Sequence, residues 1–264
     1  MAEPAPQKAL GDASSELPRM TLLQHLEELR KRIVRAVIAP AIAFLGCWTF
    51  REQIGDYLAR PIYEILPEGT KLAFLGISDP FLLYFKMTAL VAVFVSSPFI
   101  FYQLWMFIAP GLYKKERRHA FPFILFTTFF FAAGGIFAYK VAFPFAVEFL
   151  IGMGASFEPV ITAERYYRFL MYVIFGLGVM FELPVLIFLL STLGVVTPGF
   201  LMRHFRWAVI GIFLLAAVVT PTPDVVNLCV FALPTIALYL LGVGAAAIAS
   251  LGKKKQARAD AEAS

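Results

Sequence analysis

The chain has 264 residues, of which 60% are apolar and 16% charged, against roughly 45–50% and about 25% in a soluble domain. With a mean hydropathy of +0.76, that excess excludes a water-soluble globule. The net charge of +5 implies no affinity for nucleic acid, because the basic residues cluster in short loops between apolar runs, as the orientation of membrane spans requires.

In chain order, Met1 to Pro18 is rich in Ala, Pro and Glu and predicts a disordered cytoplasmic tail. Apolar runs follow at Ile33–Phe50, Phe81–Ser97, Pro122–Ala142, Phe169–Leu193, Trp207–Thr220 and Val225–Leu251, each long enough to read as a helical span or nearly so. The expected fold is therefore an all-α polytopic membrane protein with six transmembrane helices over residues 19–252, followed by a C-terminal tail at 253–264. An even number of spans puts both termini on one side. Of the 23 Lys and Arg, 16 fall in the segments on the side of the termini and 5 in the opposite segments, with Lys86 and Lys140 near the far span ends. By the positive-inside rule both termini are cytoplasmic.

Two runs have unusual lengths. Only about 14 residues separate Arg206 from Pro221, roughly 21 Å of helix at ~1.5 Å per residue, short of the ~30 Å hydrocarbon core. The second run, by contrast, continues past Pro98 to Ile108, so Pro98 is expected to kink the helix or mark the interface. Phe143–Ile151 reads as an interfacial helix outside the membrane. Prolines at 40, 122, 184 and 234 predict further bends, giving a concave wall rather than a closed bundle. Cys47 and Cys229 both lie within apolar runs, far apart in sequence, so neither a disulfide framework nor a cysteine metal site is indicated.

Four clusters carry polar groups that could have chemistry. Met20–Arg32 predicts an amphipathic helix entering the first span, with a capping box at Thr21 and Gln24 and an apolar stripe of Leu22, Leu26, Leu29 and Ile33. Its acids are spaced to pair along the helix, Glu27 with Lys31 and Glu28 with Arg32. The loop Phe107–Arg118 holds Glu116 among four bases. Apart from the tails, Glu27, Glu28 and Glu116 are the only carboxylates on the expected cytoplasmic side, so a cationic ligand arriving there has few other acceptors. Glu182 lies inside an apolar run, where a carboxyl group must be protonated, hydrogen-bonded or facing water. The turn Thr220–Asn227 carries two prolines and Asp224, an ordinary turn with an N-cap for the sixth span. No catalytic, metal-ligand or phosphate-loop motif accompanies them, so neither an enzyme nor a cofactor is expected, and energy would come from outside the chain or from a gradient.

In order and spacing, His25–Arg32, Ser97–Arg118, Phe181–Pro184 and Thr220–Val225 resemble the TatC family, the multi-spanning subunit of the twin-arginine protein translocase. The similarity covers roughly residues 18–250. It implies a prokaryotic cytoplasmic-membrane receptor, driven by the proton gradient, that captures twin-arginine signal peptides of folded cargo and assembles in an oligomeric complex with TatA-like and TatB-like single-span subunits. By the family pattern, Glu28 and Glu116 match the signal-binding carboxylates, and Arg30 and Phe107 their neighbours. Glu182 then matches the intramembrane acid, Pro61 and Pro98 structural prolines, and Thr220 and Asp224 the outer turn that is structural or touches partners. Where some members carry Gln four residues after the turn Asp, this chain has Leu228, with Asn227 beside it. The competing class is a proton-coupled secondary transporter of a small solute using Glu182. It calls for inverted repeats, and none is visible in the sequence.

Overall fold

The computed structural model describes residues 22–65, 72–108, 120–154, 156–157, 160–220 and 224–262, with side chains of 22–25, 120 and 251–262 left aside. The expected tail at 1–18, the capping box and the loop with Glu116 lie outside the described residues. What is described is helical, apart from turns and one isolated bridge between Ala73 and Thr162.

The first helix, α1 (Leu22–Trp48), turns through 90° into α2 (Arg51–Tyr63). Then α3 (Asp79–Ile108) returns antiparallel to α1. Pairing of Trp48 with Phe81 at 5.8 Å and Phe44 with Phe85 at 4.9 Å fixes that direction at one end, and the hydrogen bond from Arg32 to Gln103 fixes it at the other. The chain comes back through α4 (Ala120–Phe137), a π-helical turn at Ala138–Ala142 and α5 (Phe143–Met153). Phe94 stacks on Phe131 at 4.3 Å, locking α4 to α3. Next come α6 (Ala163–Met180) and α7 (Leu183–Thr192), broken at Glu182, the short α8 (Pro198–Arg203), α9 (Phe205–Val219) and α10 (Val225–Glu262). Four segments are long and apolar enough to cross a membrane, Asp79–Ile108, Phe121–Met153, Ala163–Thr192 and Val225–Ser250; the bent pair Leu26–Tyr63 is a fifth if taken as one. The shorter apolar helix is α9, with 15 residues.

The structure resolves the proline expectations differently at each site. At Pro98 helix α3 runs on without a break. Proline has no N–H to offer the carbonyl of Phe94 four residues back, and the Ser97 hydroxyl donates to that same carbonyl at 2.7 Å instead. In an apolar surrounding such a substitute helps a proline remain inside a helix. Helices α1 and α10 also run on through Pro40 and Pro234. At Pro184 the helix breaks between α6 and α7. The segment Phe143–Ile151 is not a separate interfacial helix: α5 continues the α4 axis through the π turn, and Phe143 and Ala146 are fully buried. One face, with Phe143, Ala146 and Val147, meets protein, while Phe145 remains exposed. At the far end of the chain α10 continues through Lys253 to Glu262.

The main core gathers Ile62, Met87, Phe143, Leu170, Leu177 and Phe231 from α2, α3, α5, α6 and α10. Three tyrosines pin α2 across this core: Tyr166 donates to the carbonyl of Leu58 at 2.8 Å, Tyr167 to that of Gly55 at 3.0 Å, and Tyr139 to that of Tyr57. A smaller cluster of Trp105, Phe123, Val185 and Leu189 closes the opposite end of α3, α4 and α7. The outward faces are apolar, as on α1, where Val37, Ile42 and Leu45 are exposed.

Candidate functional site

Sequence spacing alone places Glu28 and Arg32 one helical turn apart, and the structure turns that pair inward. Because α1 packs along α3, the face carrying Glu28 and Arg32 meets α3, while the apolar stripe points away, with Leu26 and Ile33 59% and 53% exposed. The polarity of α1 is thus the reverse of a helix on a soluble protein. Arg32 Nη2 lies 3.1 Å from Glu28 Oε1, and Arg32 Nη1 donates to Oε1 of Gln103 at 3.3 Å. Gln103 is buried, and two residues on, Trp105 packs against Phe123 of α4 with ring centroids 4.6 Å apart. Both side chains of the Glu28–Arg32 pair are sheltered, 19% and 17% exposed, and Oε2 of Glu28 is buried with no hydrogen-bond partner among the described residues.

The neighbouring pair behaves differently. Lys31 Nζ and Glu27 Oε1 are 2.7 Å apart with both side chains near two-thirds exposed, a solvated pair of little consequence. Arg30 is exposed on the same helix, and Phe107 is half-buried near the end of α3. Glu116 lies outside the described residues.

Glu182 stands at the break between α6 and α7, half-buried, its Oε1 enclosed without a hydrogen-bond donor among the described residues. The break is approached closely by α4: a β-carbon on Gly134 would sit 2.6 Å from the carbonyl oxygen of Leu177 and 2.8 Å from Cβ of Phe181. Only glycine lets the two backbones meet there. Pro61 is buried within α2. At the end opposite Glu28, Thr220 is buried and donates to the carbonyl of Ala216 at 3.0 Å. Asp224 caps α10, accepting from Asn227 N at 2.7 Å and from Asn227 Nδ2 at 2.9 Å. The structure therefore separates the polar residues into three places. One lies at the Glu28 end, one at the α6–α7 break, and one at the start of α10. Gln103 is the site residue that sequence reasoning missed. Its signal was a lone amide in the apolar run after Pro98, opposite the Glu28 register only once α1 and α3 are known to be antiparallel.

Among the described residues no group of three or more His, Cys, Asp or Glu converges as metal ligands would, and both cysteines are free. A chain of long apolar helices with outward-facing apolar surfaces, whose sheltered polar groups sit at helix ends and breaks, is a multi-spanning helical membrane protein. Residues 24–234 match the family described as Sec-independent protein translocase protein (TatC). The proteins called Sec-independent protein translocase protein TatC from Koribacter versatilis and Deinococcus radiodurans are similar. The first is 43% identical over 250 residues, covering 94% of this chain and 92% of its own length. The second is 38% identical over 247 residues, covering 91% and 90%. A solved structure described as the twin arginine translocase receptor TatC superimposes with a TM-score of 0.76 at 30% identity, covering 86% of this chain and 99% of its own. The chain belongs to the TatC family.

Proposed function

We propose that this chain is the signal-peptide receptor and core subunit of a twin-arginine translocase, exporting folded proteins across a prokaryotic cytoplasmic membrane. The observation that carries the reading is the half-satisfied carboxylate of Glu28, sheltered against α3 with one oxygen given no donor by the described residues. Arginine presents a planar fork that a carboxylate accepts on both oxygens, which an ammonium cannot reproduce. In this reading Glu28 takes one signal arginine and Glu116, from the loop after α3, takes the other, with Arg30 and Phe107 flanking them.

The rest of the arrangement follows from the basic-residue bias. Six spans are counted when α1 with α2 is one and the short α9 is another, forming a concave wall with both termini cytoplasmic. Glu182 faces the hollow as a polar group, and the turn from Thr220 to Asp224 lies on the outer side, where TatA-like and TatB-like single-span subunits join an oligomeric complex. The proton gradient drives the transport, since the sequence holds no nucleotide motif. A small-solute transporter is disfavoured because Glu182 is a lone acid at one helix break rather than part of a symmetric midplane site. The deciding experiment is site-specific crosslinking of a signal peptide in native membranes from a photoreactive group next to Glu28. Arg-Arg peptide should crosslink and Lys-Lys peptide should not; equal crosslinking of both overturns the reading.

A further inference from the structure

We propose that Arg32 is an internal competitor for the Glu28 carboxylate, and that this competition holds down the resting affinity of the site for its cationic ligand. The inference rests on the reading of Glu28 as an acceptor for an incoming guanidinium and adds a residue that the ligand must displace.

The geometry is that of a stand-in rather than a closed ion pair. Arg32 divides its fork between two helices, Nη2 to Glu28 Oε1 at 3.1 Å and Nη1 to Gln103 Oε1 at 3.3 Å. Among the described residues Glu28 Oε2 is left buried without a donor. A guanidinium committed to Glu28 would use both carboxylate oxygens, and a buried acceptor left unpaired is unfavourable. The resting pair is therefore incomplete at the carboxylate, while Gln103 gives Arg32 a second hold that survives when Glu28 is taken. Exposed Lys31, one residue earlier, has no such bridge.

Two consequences follow. Any cation reaching Glu28 must displace an arginine already there, so the apparent affinity of every ligand is reduced to the fraction of time the carboxylate is free. That fraction belongs to the resting site and is the same for every ligand, so the rival lowers affinity without altering the preference for a guanidinium, which comes from its fork taking both oxygens.

The test is the binding of fluorescent Arg-Arg and Lys-Lys signal peptides to the full chain in lipid nanodiscs. Arg32→Gln should bind both peptides about three- to tenfold tighter, by the same factor. Lys31→Gln removes the same charge from the exposed pair and should change binding by less than about twofold. Gln103→Leu removes the second hold that keeps Arg32 when it is displaced, so it should weaken Arg-Arg binding about three- to tenfold; if Arg32→Gln does not fold, unchanged or tighter binding in Gln103→Leu overturns the proposal. Weaker or unchanged binding by Arg32→Gln, or equal tightening by Lys31→Gln, overturns it as well. Glu28→Gln in the same assay separates the two failures. If it weakens binding at least tenfold while Arg32→Gln does not tighten it, only the competitor role is lost; if Glu28→Gln is silent, the acceptor reading falls and the competitor role with it.

Discussion

The side chain of Val219 fills the space that a β-carbon on Gly176 would occupy, with Cγ1 only 2.4 Å from that position. Gly176 lies 13 residues into the segment that starts at Ala163, about 20 Å along a helix at ~1.5 Å per residue. The far end of α9 is thus level with the middle of the Ala163–Thr192 span rather than with its start. Consequently the turn that follows Val219 should sit below the outer membrane surface. A spin label at Val225→Cys is expected to be distinctly deeper than one at Phe157→Cys, and equal depth contradicts the short-span geometry. Gly176→Ala should destabilise the fold by roughly 1–3 kcal/mol through overpacking, measurable as a lower thermal midpoint in detergent, with Val219→Ala restoring most of the loss in the double variant.

The tyrosine clamp on α2 gives a second expectation. Tyr166→Phe with Tyr167→Phe removes two hydrogen bonds while keeping both rings, so the loss should be about 1–3 kcal/mol in total. Because the bonds hold α2 and not the rest, hydrogen exchange should rise in Arg51–Tyr63 and stay unchanged in α10. Uniformly raised exchange would assign the tyrosines to global stability instead.

Glu182 should tolerate Gln better than Leu. Gln retains hydrogen-bonding capacity at the break between α6 and α7, whereas Leu removes it from a position where backbone groups are already freed by Pro184. Export of a folded reporter should persist in Glu182→Gln and fall in Glu182→Leu. The reverse order, or loss of export in Glu182→Gln with signal binding intact, makes obligatory protonation the better account.

For the receptor reading, Glu28→Gln and Glu116→Gln should each cost about 2–5 kcal/mol in binding an Arg-Arg peptide, at least tenfold in affinity. Merely solvated charges would cost within ~1 kcal/mol. Peptides with acidic residues in place of the arginines should regain some binding to Glu116→Lys. Two Gln variants within a factor of two of wild type would place the site elsewhere.

Orientation is tested by impermeant thiol labelling from the outer side. Phe157→Cys and Gly69→Cys should react, and Lys115→Cys should not. Reaction at position 115 would remove the six-span arrangement with cytoplasmic termini.

Much of this protein was decided by composition and spacing alone. Apolar runs the length of a bilayer determine helices, because in hydrocarbon every backbone group must be bonded within its own segment, and the i,i+4 spacing determines the Glu28–Arg32 pair. The same runs could not reveal which way α1 faces, since a helix surrounded by apolar solvent may present its apolar side outward. Only packing against α3 turns Glu28 inward and brings Gln103, 71 positions from Arg32, to within hydrogen-bond distance. Pro98 and Pro184 look alike in sequence, yet one helix continues, with a serine hydroxyl reaching the orphaned carbonyl, and the other breaks. Phe143–Ile151 reads as a surface helix in the sequence, yet one of its faces is core, with Phe143 packed on Tyr166 and Phe169 of α6. Local bonding follows from local sequence; which side of each helix meets protein depends on partners far along the chain.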